Sequence, residues 1–193
     1  MLIIDDFLPQ DEFKQLHNYI TGLEFPWYYH SHASAAPGSY VPENAIESGA
    51  MVHSIFSKED NSRSFALEHF APLLNKIDEH ENFQADFIRV RAGMKTIKPG
   101  FNVNNYNLPH VDYRFPHTTA LLYITESDGD TWMFNEQYTG TDLTKFTVKQ
   151  RISPQPNRLI IFNGLCYHTA SNPINNDIRI IVNINFTKRK ELL

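Results

Sequence analysis

His110 and Asp112 stand two positions apart in "LPHVDY" (108–113), and His168 follows in "LCYHTA" (165–170). In a β-strand, residues i and i+2 point to the same face, so His110 and Asp112 can converge on one ion. The third ligand must then come from another strand folded back over the first. Two imidazoles and one carboxylate hold a metal at three points and leave the remaining positions open, an arrangement that suits non-haem Fe(II) and oxygen chemistry. The same donors also serve zinc, so the triplet by itself does not choose the metal. Arg179 lies eleven residues beyond His168, in "DIRIIVNINF" (177–186), a stretch that reads as a largely buried strand. A buried guanidinium is costly unless it is paired. Its partner is either one of the chain's own acids or the carboxylate of a ligand, which arginine's planar fork grips in two places.

These residues need a strand-rich scaffold, and the second half of the chain supplies one. After the short apolar run Leu2–Ile4, Phe13, Leu16 and Ile20 recur at helical spacing over 9–22, with Pro9 placed to open the helix. The stretch 25–57 reads as an aromatic, irregular loop, punctuated by Pro37, Gly38 and Pro42. A second amphipathic helix is predicted over 61–80, with Phe65, Phe70, Leu73, Leu74 and Ile77 on its apolar side. From Phe83 the texture turns to short strands, near 85–93, 99–106, 110–112, 118–126, 130–135, 144–151, 158–163, 166–170 and 178–187. "ESDGD" and "SPQPN" are turn signals between them. Two helices followed by many short strands predict a sandwich or barrel with helices packed outside, in one domain spanning 1–193 (a helical and loop part, 1–82, and a β core, 83–187).

Composition narrows the class. Hydrophobic residues at 41% and charged residues at 20% fit a soluble globular protein, and a net charge of −5 gives no general pull toward nucleic acid or anionic membrane. The lone cysteine, Cys166, excludes an internal disulfide and fits the cytoplasm. The opening "MLIIDDFL" lacks the basic and apolar regions of a signal peptide, and no apolar run reaches the ~20 residues of a membrane span.

The pieces "LPHVDY", "TTALLYITESDGDTWMF" (118–134), "NRLIIFNGLCYHTASNP" (157–173) and "IRIIVNINF" (178–186) resemble, in order and spacing, the 2-oxoglutarate/Fe(II)-dependent dioxygenases, in particular the prolyl 4-hydroxylase-like branch. The resemblance covers roughly 108–186, with a weaker likeness through "FIRVRAG" (87–93) and the opening residues. It implies a double-stranded β-helix (jelly-roll) with Fe(II) held by His110, Asp112 and His168 at its mouth. It further implies 2-oxoglutarate as cosubstrate with its far carboxylate on Arg179 and Tyr123, O2 as oxidant, and ascorbate as reductant. Succinate and CO2 would leave, and a substrate C–H bond would be hydroxylated. Asp112 argues against the halogenase variant, in which a small residue leaves room for halide.

Two departures from the family pattern stand out. Where relatives carry paired glycines, only Gly129 remains and Asp130 follows it; aspartate tolerates left-handed turn geometry, so the turn is expected to survive. Asn183 and Asn185 replace the usual Thr, Ser or Trp, and Asn183, which shares a face with Arg179, is expected to touch the cosubstrate or the substrate.

The remaining residues are less specific. His117 is the nearest rival ligand but reads as a supporting residue, since a fourth protein ligand would consume a position the chemistry needs. Cys166 would share the strand face of His168, as a small hydrophobe. Arg89 and Arg91 share one face, and Arg91, Asn104 and Tyr106 are read as candidate contacts to a small-molecule or peptidyl substrate. Trp27, Tyr28 and Tyr29 are either core or a lid. A cupin-like isomerase, a zinc hydrolase and a ligand-binding barrel are the competing readings; none of them calls for an inward Arg179 beside Tyr123.

Overall fold

A computed structural model describes residues 1–32 and 40–189. Along the chain come β1 (Leu2–Ile4), α1 (Gln10–Thr21), β2 (Tyr28–His30), β3 (Ala50–Ser57), β4 (Ser62–Arg63), α2 (Leu67–His80), β5 (Ala85–Thr96), β6 (Thr118–Tyr123), β7 (Thr131–Gln137), β8 (Val148–Ile152), β9 (Leu159–Asn163), β10 (Cys166–Ala170) and β11 (Ile178–Lys188). The large sheet runs β1-β9-β6-β11-β5-β3-β2, with β4 added to β3, and a small sheet runs β10-β7-β8; the paired strands are antiparallel.

Strand alternation sorts the large sheet into two faces. Val90 and Ala92 of β5, Ala120 and Leu122 of β6, Leu159 and Ile161 of β9, and Ile180, Val182 and Ile184 of β11 turn to one side. There they bury Phe13, Leu16 and Ile20 of α1 and Phe70, Leu73 and Ile77 of α2. The intervening residues face the small sheet. Leu121, Tyr123, Ile160 and Phe162 pack with Met133 and Ile152, and a third cluster gathers Tyr106, Leu108, Trp132, Phe134 and Tyr167. The helices therefore cover one face of the large sheet, while its other face and the small sheet enclose an interior, as in the double-stranded β-helix.

Several expectations need correction. The stretch 25–57 contains β2 and β3, although Pro37 and Gly38 lie outside the described residues. β3 escaped the pattern because it is covered on both faces and carries His53, a buried imidazole whose Nε2 meets Ser64 Oγ at 2.8 Å. The second helix starts at Leu67, not near 61, because Ser64 turns the chain there by accepting Leu67 N–H at its carbonyl. Phe65 consequently lies outside the helix and is exposed. Residues 99–106 form turns around Gly100 (φ +82°), not a strand, and 110–112 contributes a single bridge, His110 to His168. No helix among the described residues is long and apolar enough to cross a membrane.

Candidate metal centre

His110 and His168 are joined through their backbones. Each amide donates to the other's carbonyl at 3.0 Å, and the two rings lie 4.8 Å apart. Each Nδ1 then meets a carbonyl two residues back, Leu108 O at 3.0 Å and Cys166 O at 3.1 Å. A carbonyl only accepts, so both Nδ1 atoms carry the proton and both Nε2 lone pairs are free to bind a metal. His168 Nε2 lies 3.8 Å from Asp112 Oδ2, and one donor atom from each of the three residues falls within 4.8 Å of the others. Burial, reinforced by the neighbouring His168, lowers the His110 pKa to about 4, so this ring is neutral and ready to ligate at pH 7.

The carboxylate is the most supported group in the site. Its side chain is 3% exposed, and burial alone would raise its pKa; Arg89, the two imidazoles and Asn185 outweigh that and hold it well below the usual range. Arg89 Nη2 donates to Asp112 Oδ1 at 2.6 Å. Asn185 Nδ2 donates to Oδ2 at 2.9 Å, and Asn183 Nδ2 at 3.2 Å. These donors fix the carboxylate's orientation before any ion arrives. The inward residues of β11 thus serve two ends of one strand: Asn183 and Asn185 at the carboxylate, Arg179 at a distance from it.

His110 and His168 line a cavity together with Arg179, Thr131, Leu121, Ile181, Asn183 and Lys95, and Asp112 adjoins it through Asn183. Arg179 is buried, with Nε donating to Gly129 O at 2.6 Å and Nη2 to Thr131 Oγ1 at 2.8 Å. It forms no ion pair with an acid among the described residues. Tyr123 is wholly buried under it, its hydroxyl donating to the same Thr131 Oγ1 at 2.7 Å. Gly129 is required by close approach and not by turn geometry. A Cβ there would fall 2.9 Å from Ser171 O and 3.0 Å from Arg179 Cδ. Neither Gly129 nor Asp130 has a positive φ, so the left-handed turn expected here does not form; Asp130 instead receives Arg151 Nε at 2.9 Å.

The structure brings His110, Asp112, His168, Arg179, Asn183 and Arg91 to one cavity or its immediate wall, with Tyr123 directly behind Arg179. It sets Asn104 and Tyr106 elsewhere. Asn104 sits in an exposed turn whose amide is held by Asn102, and Tyr106 packs between Trp132 and Phe134. His117 is buried with Nδ1 on Phe115 O and its ring against Gly164, and it is not part of the ligand cluster. Cys166 packs with the Leu121–Phe162 cluster, whose Phe162 ring also lies 4.9 Å from the His168 ring, while Tyr167 between them packs in the other cluster, so the thiol sits on the histidine's side as a small hydrophobe despite the register shift there. Trp27 packs against the helix-side core, while Tyr28 and Tyr29 are exposed on β2. Sequence reasoning missed Thr131, which links Arg179 to Tyr123, and Lys95. Lys95 is a buried amine donating to Ser48 Oγ at 2.9 Å and Asn107 Oδ1 at 3.1 Å. The β5 alternation 89, 91, 93, 95 was the signal available for the lysine.

No family model and no curated protein matches the chain. Among solved structures it is similar to a prolyl hydroxylase from Trichoplax adhaerens, solved in complex with a hypoxia inducible factor oxygen degradation domain peptide (18% identity, 96% of this chain and 82% of that one, TM-score 0.59). It is similar to a Pseudomonas putida prolyl-4-hydroxylase (15% identity, 98% and 92%, TM-score 0.57). A 2-oxoglutarate/Fe(II) oxygenase family member from Burkholderia pseudomallei is a further neighbour (11% identity, 96% and 84%, TM-score 0.64). The chain therefore has the double-stranded β-helix fold of the 2-oxoglutarate/Fe(II) oxygenases, with prolyl hydroxylases among its structural neighbours.

Proposed function

We propose that this protein is a 2-oxoglutarate- and Fe(II)-dependent dioxygenase that hydroxylates a C–H bond of its substrate and releases succinate and CO2. One observation carries the reading: a two-histidine, one-carboxylate triad adjoins a cavity lined by Arg179, a buried guanidinium that forms no ion pair among the described residues. The donor set fits Fe(II), because three protein ligands leave positions open and both Nε2 lone pairs are freed by their carbonyl-bound Nδ1 atoms. The cavity fits 2-oxoglutarate, a dianion, because Arg179 needs a carboxylate to offset its burial. Fe(II) with O2 and 2-oxoglutarate would supply the oxidising chemistry.

The chain's residues have separable tasks in this reading. His110, Asp112 and His168 hold the metal, and Arg89, Asn183 and Asn185 orient the Asp112 carboxylate. Thr131 Oγ1 and Gly129 O fix two guanidinium nitrogens of Arg179, so its remaining donors have one direction in which to meet a ligand. Leu121, Ile181 and Phe162 keep the neighbourhood apolar, which strengthens that pairing and excludes water.

The test is succinate formation from 2-oxoglutarate by anaerobically Fe(II)-loaded protein once oxygen is admitted. Slow turnover without substrate, absent from Asp112→Ala, is the expected result. Failure of the wild-type chain to bind either Fe(II) or 2-oxoglutarate would favour a cupin-like isomerase, a hydrolase or a ligand-binding barrel.

A further inference from the structure

β5 turns four residues inward at every second position: Arg89, Arg91, Gly93 and Lys95. Arg89 is spoken for, on Asp112 and, through Nε, on Asn185 Oδ1 at 3.1 Å. Lys95 is held by Ser48 and Asn107. Arg91, between them, has neither a hydrogen bond nor an ion pair from its guanidinium among the described residues, although burial disfavours its charge. Its cross-strand partner on β11 is Asn183, whose Oδ1 is itself a buried acceptor without a partner. An unpaired cation and an unpaired acceptor therefore stand side by side on the wall of the metal cavity. Arg91 also lines a second, wider hollow, bounded by Tyr28, Phe65, Arg63 and Arg89 at β2 to β5. It is the junction between that hollow and the metal site.

The charge count singles out what should bind. The residues lining the metal cavity include the cations Arg91, Lys95 and Arg179, and the acid that bears on Arg91 there, Asp112, is already engaged by Arg89, Asn183 and Asn185 and belongs to the ligand triad. 2-Oxoglutarate brings two carboxylates, one for Arg179 and one for the metal end. Arg91 feels Asp112 but forms no salt bridge of its own among the described residues. The acids of the outer hollow do not supply one: Glu59 and Asp60 line it, yet neither forms an ion pair with Arg91, and Asp60 accepts the Ser57 hydroxyl at 2.8 Å. An arginine in a confined site whose neighbouring acid is bonded to other groups is a binding group in waiting.

We propose that Arg91 anchors a carboxylate of the primary substrate, which enters through the outer hollow and presents its reactive C–H bond to the metal. The substrate class is thus a small carboxylic acid, with Asn183 Oδ1 available to an N–H or O–H beside the carboxylate. This inference rests on the oxygenase reading above and deepens it.

The experiment uses Fe(II)-loaded protein with 2-oxoglutarate and a panel of free amino acids and other monocarboxylic acids, each paired with its primary amide. Addition of 2-oxoglutarate to the anaerobic Fe(II) protein is first checked by absorption. No change there would defeat the oxygenase reading itself, and this inference with it, before any acid is added. Given cosubstrate binding, at least one acid should stimulate succinate formation and its amide should not. In Arg91→Met the acid concentration for half-stimulation should rise roughly 10- to 100-fold, the loss expected for one charge-assisted contact. Arg91→Lys should recover part of it, with the change falling on the acid and not on 2-oxoglutarate. Amides as effective as acids, a panel without any stimulator, or an Arg91→Met effect confined to the 2-oxoglutarate requirement would each overturn the assignment. Where Arg91→Met does not fold, Arg91→Lys alone decides, since an anchor predicts a weakened acid response in that variant.

Discussion

At the scale of single residues, the site divides into groups that touch a ligand and groups that hold those groups still. In the proposed reading Arg179 is the first kind. Arg179→Leu removes the charge-assisted pairing with the cosubstrate carboxylate, and the 2-oxoglutarate concentration for half-maximal turnover should rise roughly 10- to 100-fold; an unchanged requirement would remove the assignment. Gly129 is the second kind. In Gly129→Ala the added methyl meets Ser171 and Pro173 backbone atoms at 2.9 and 3.1 Å and the Arg179 side chain at 3.0 Å. Overpacking of this sort costs about 1–3 kcal/mol, so a lower urea midpoint together with a weaker 2-oxoglutarate response is expected. The grouping of His110, Asp112 and His168 was legible in the sequence because their identities and their surrounding motifs agree. The role of Arg89 was not, because its partner Asp112 lies in a non-strand segment whose path the strand pattern does not describe.

Among the elements, β11 does the most. Its even-numbered residues from Ile180 to Ile184 face the helices, and Arg179, Asn183 and Asn185 face the cavity, so one strand carries core and chemistry on opposite sides. The sequence betrayed this strand through its length and its two polar interruptions. β3 stayed hidden because burial on both faces erases alternation, and the turns at 99–106 passed for a strand because Phe101 and Val103 stand two apart, whereas pairing here among the described residues is confined to a bridge from Tyr106 to Ala45. Ile184 lies fully buried on the helix side. Ile184→Ala should cost about 2–5 kcal/mol in urea unfolding with an unchanged m-value, while Fe(II) binding by the folded variant persists. Loss of the metal site at low denaturant would show that the two faces of β11 are not separable.

For the molecule as a whole, an overall charge of −5 surrounds an interior cavity lined with cations. Lys95 makes that arrangement visible to a pH titration. Burial lowers its pKa from 10.5 to about 7, despite the opposing pull of Glu47. From about pH 7 up to its ordinary value the unfolded chain binds a proton that the native chain has released, so native stability rises with pH across that window. Below it both states are protonated and the burial penalty is present in full. Urea midpoints taken from pH 7 to pH 9.5 should therefore climb in the wild type relative to Lys95→Met; parallel profiles would place the lysine's titration outside this window. The reciprocal amide bonds between His110 and His168 have a consequence of the same global kind. Because backbone and side chains of these two residues meet at one point, a bound ion adds a rivet between the irregular segment 97–117 and β10, beside the His110–His168 bridge and the bonds of Asn107 to Ala170 O. Metal loading should then slow hydrogen exchange of the His110 and His168 amides more than that of β5, making this pair of peptide groups a mechanical gauge of occupancy.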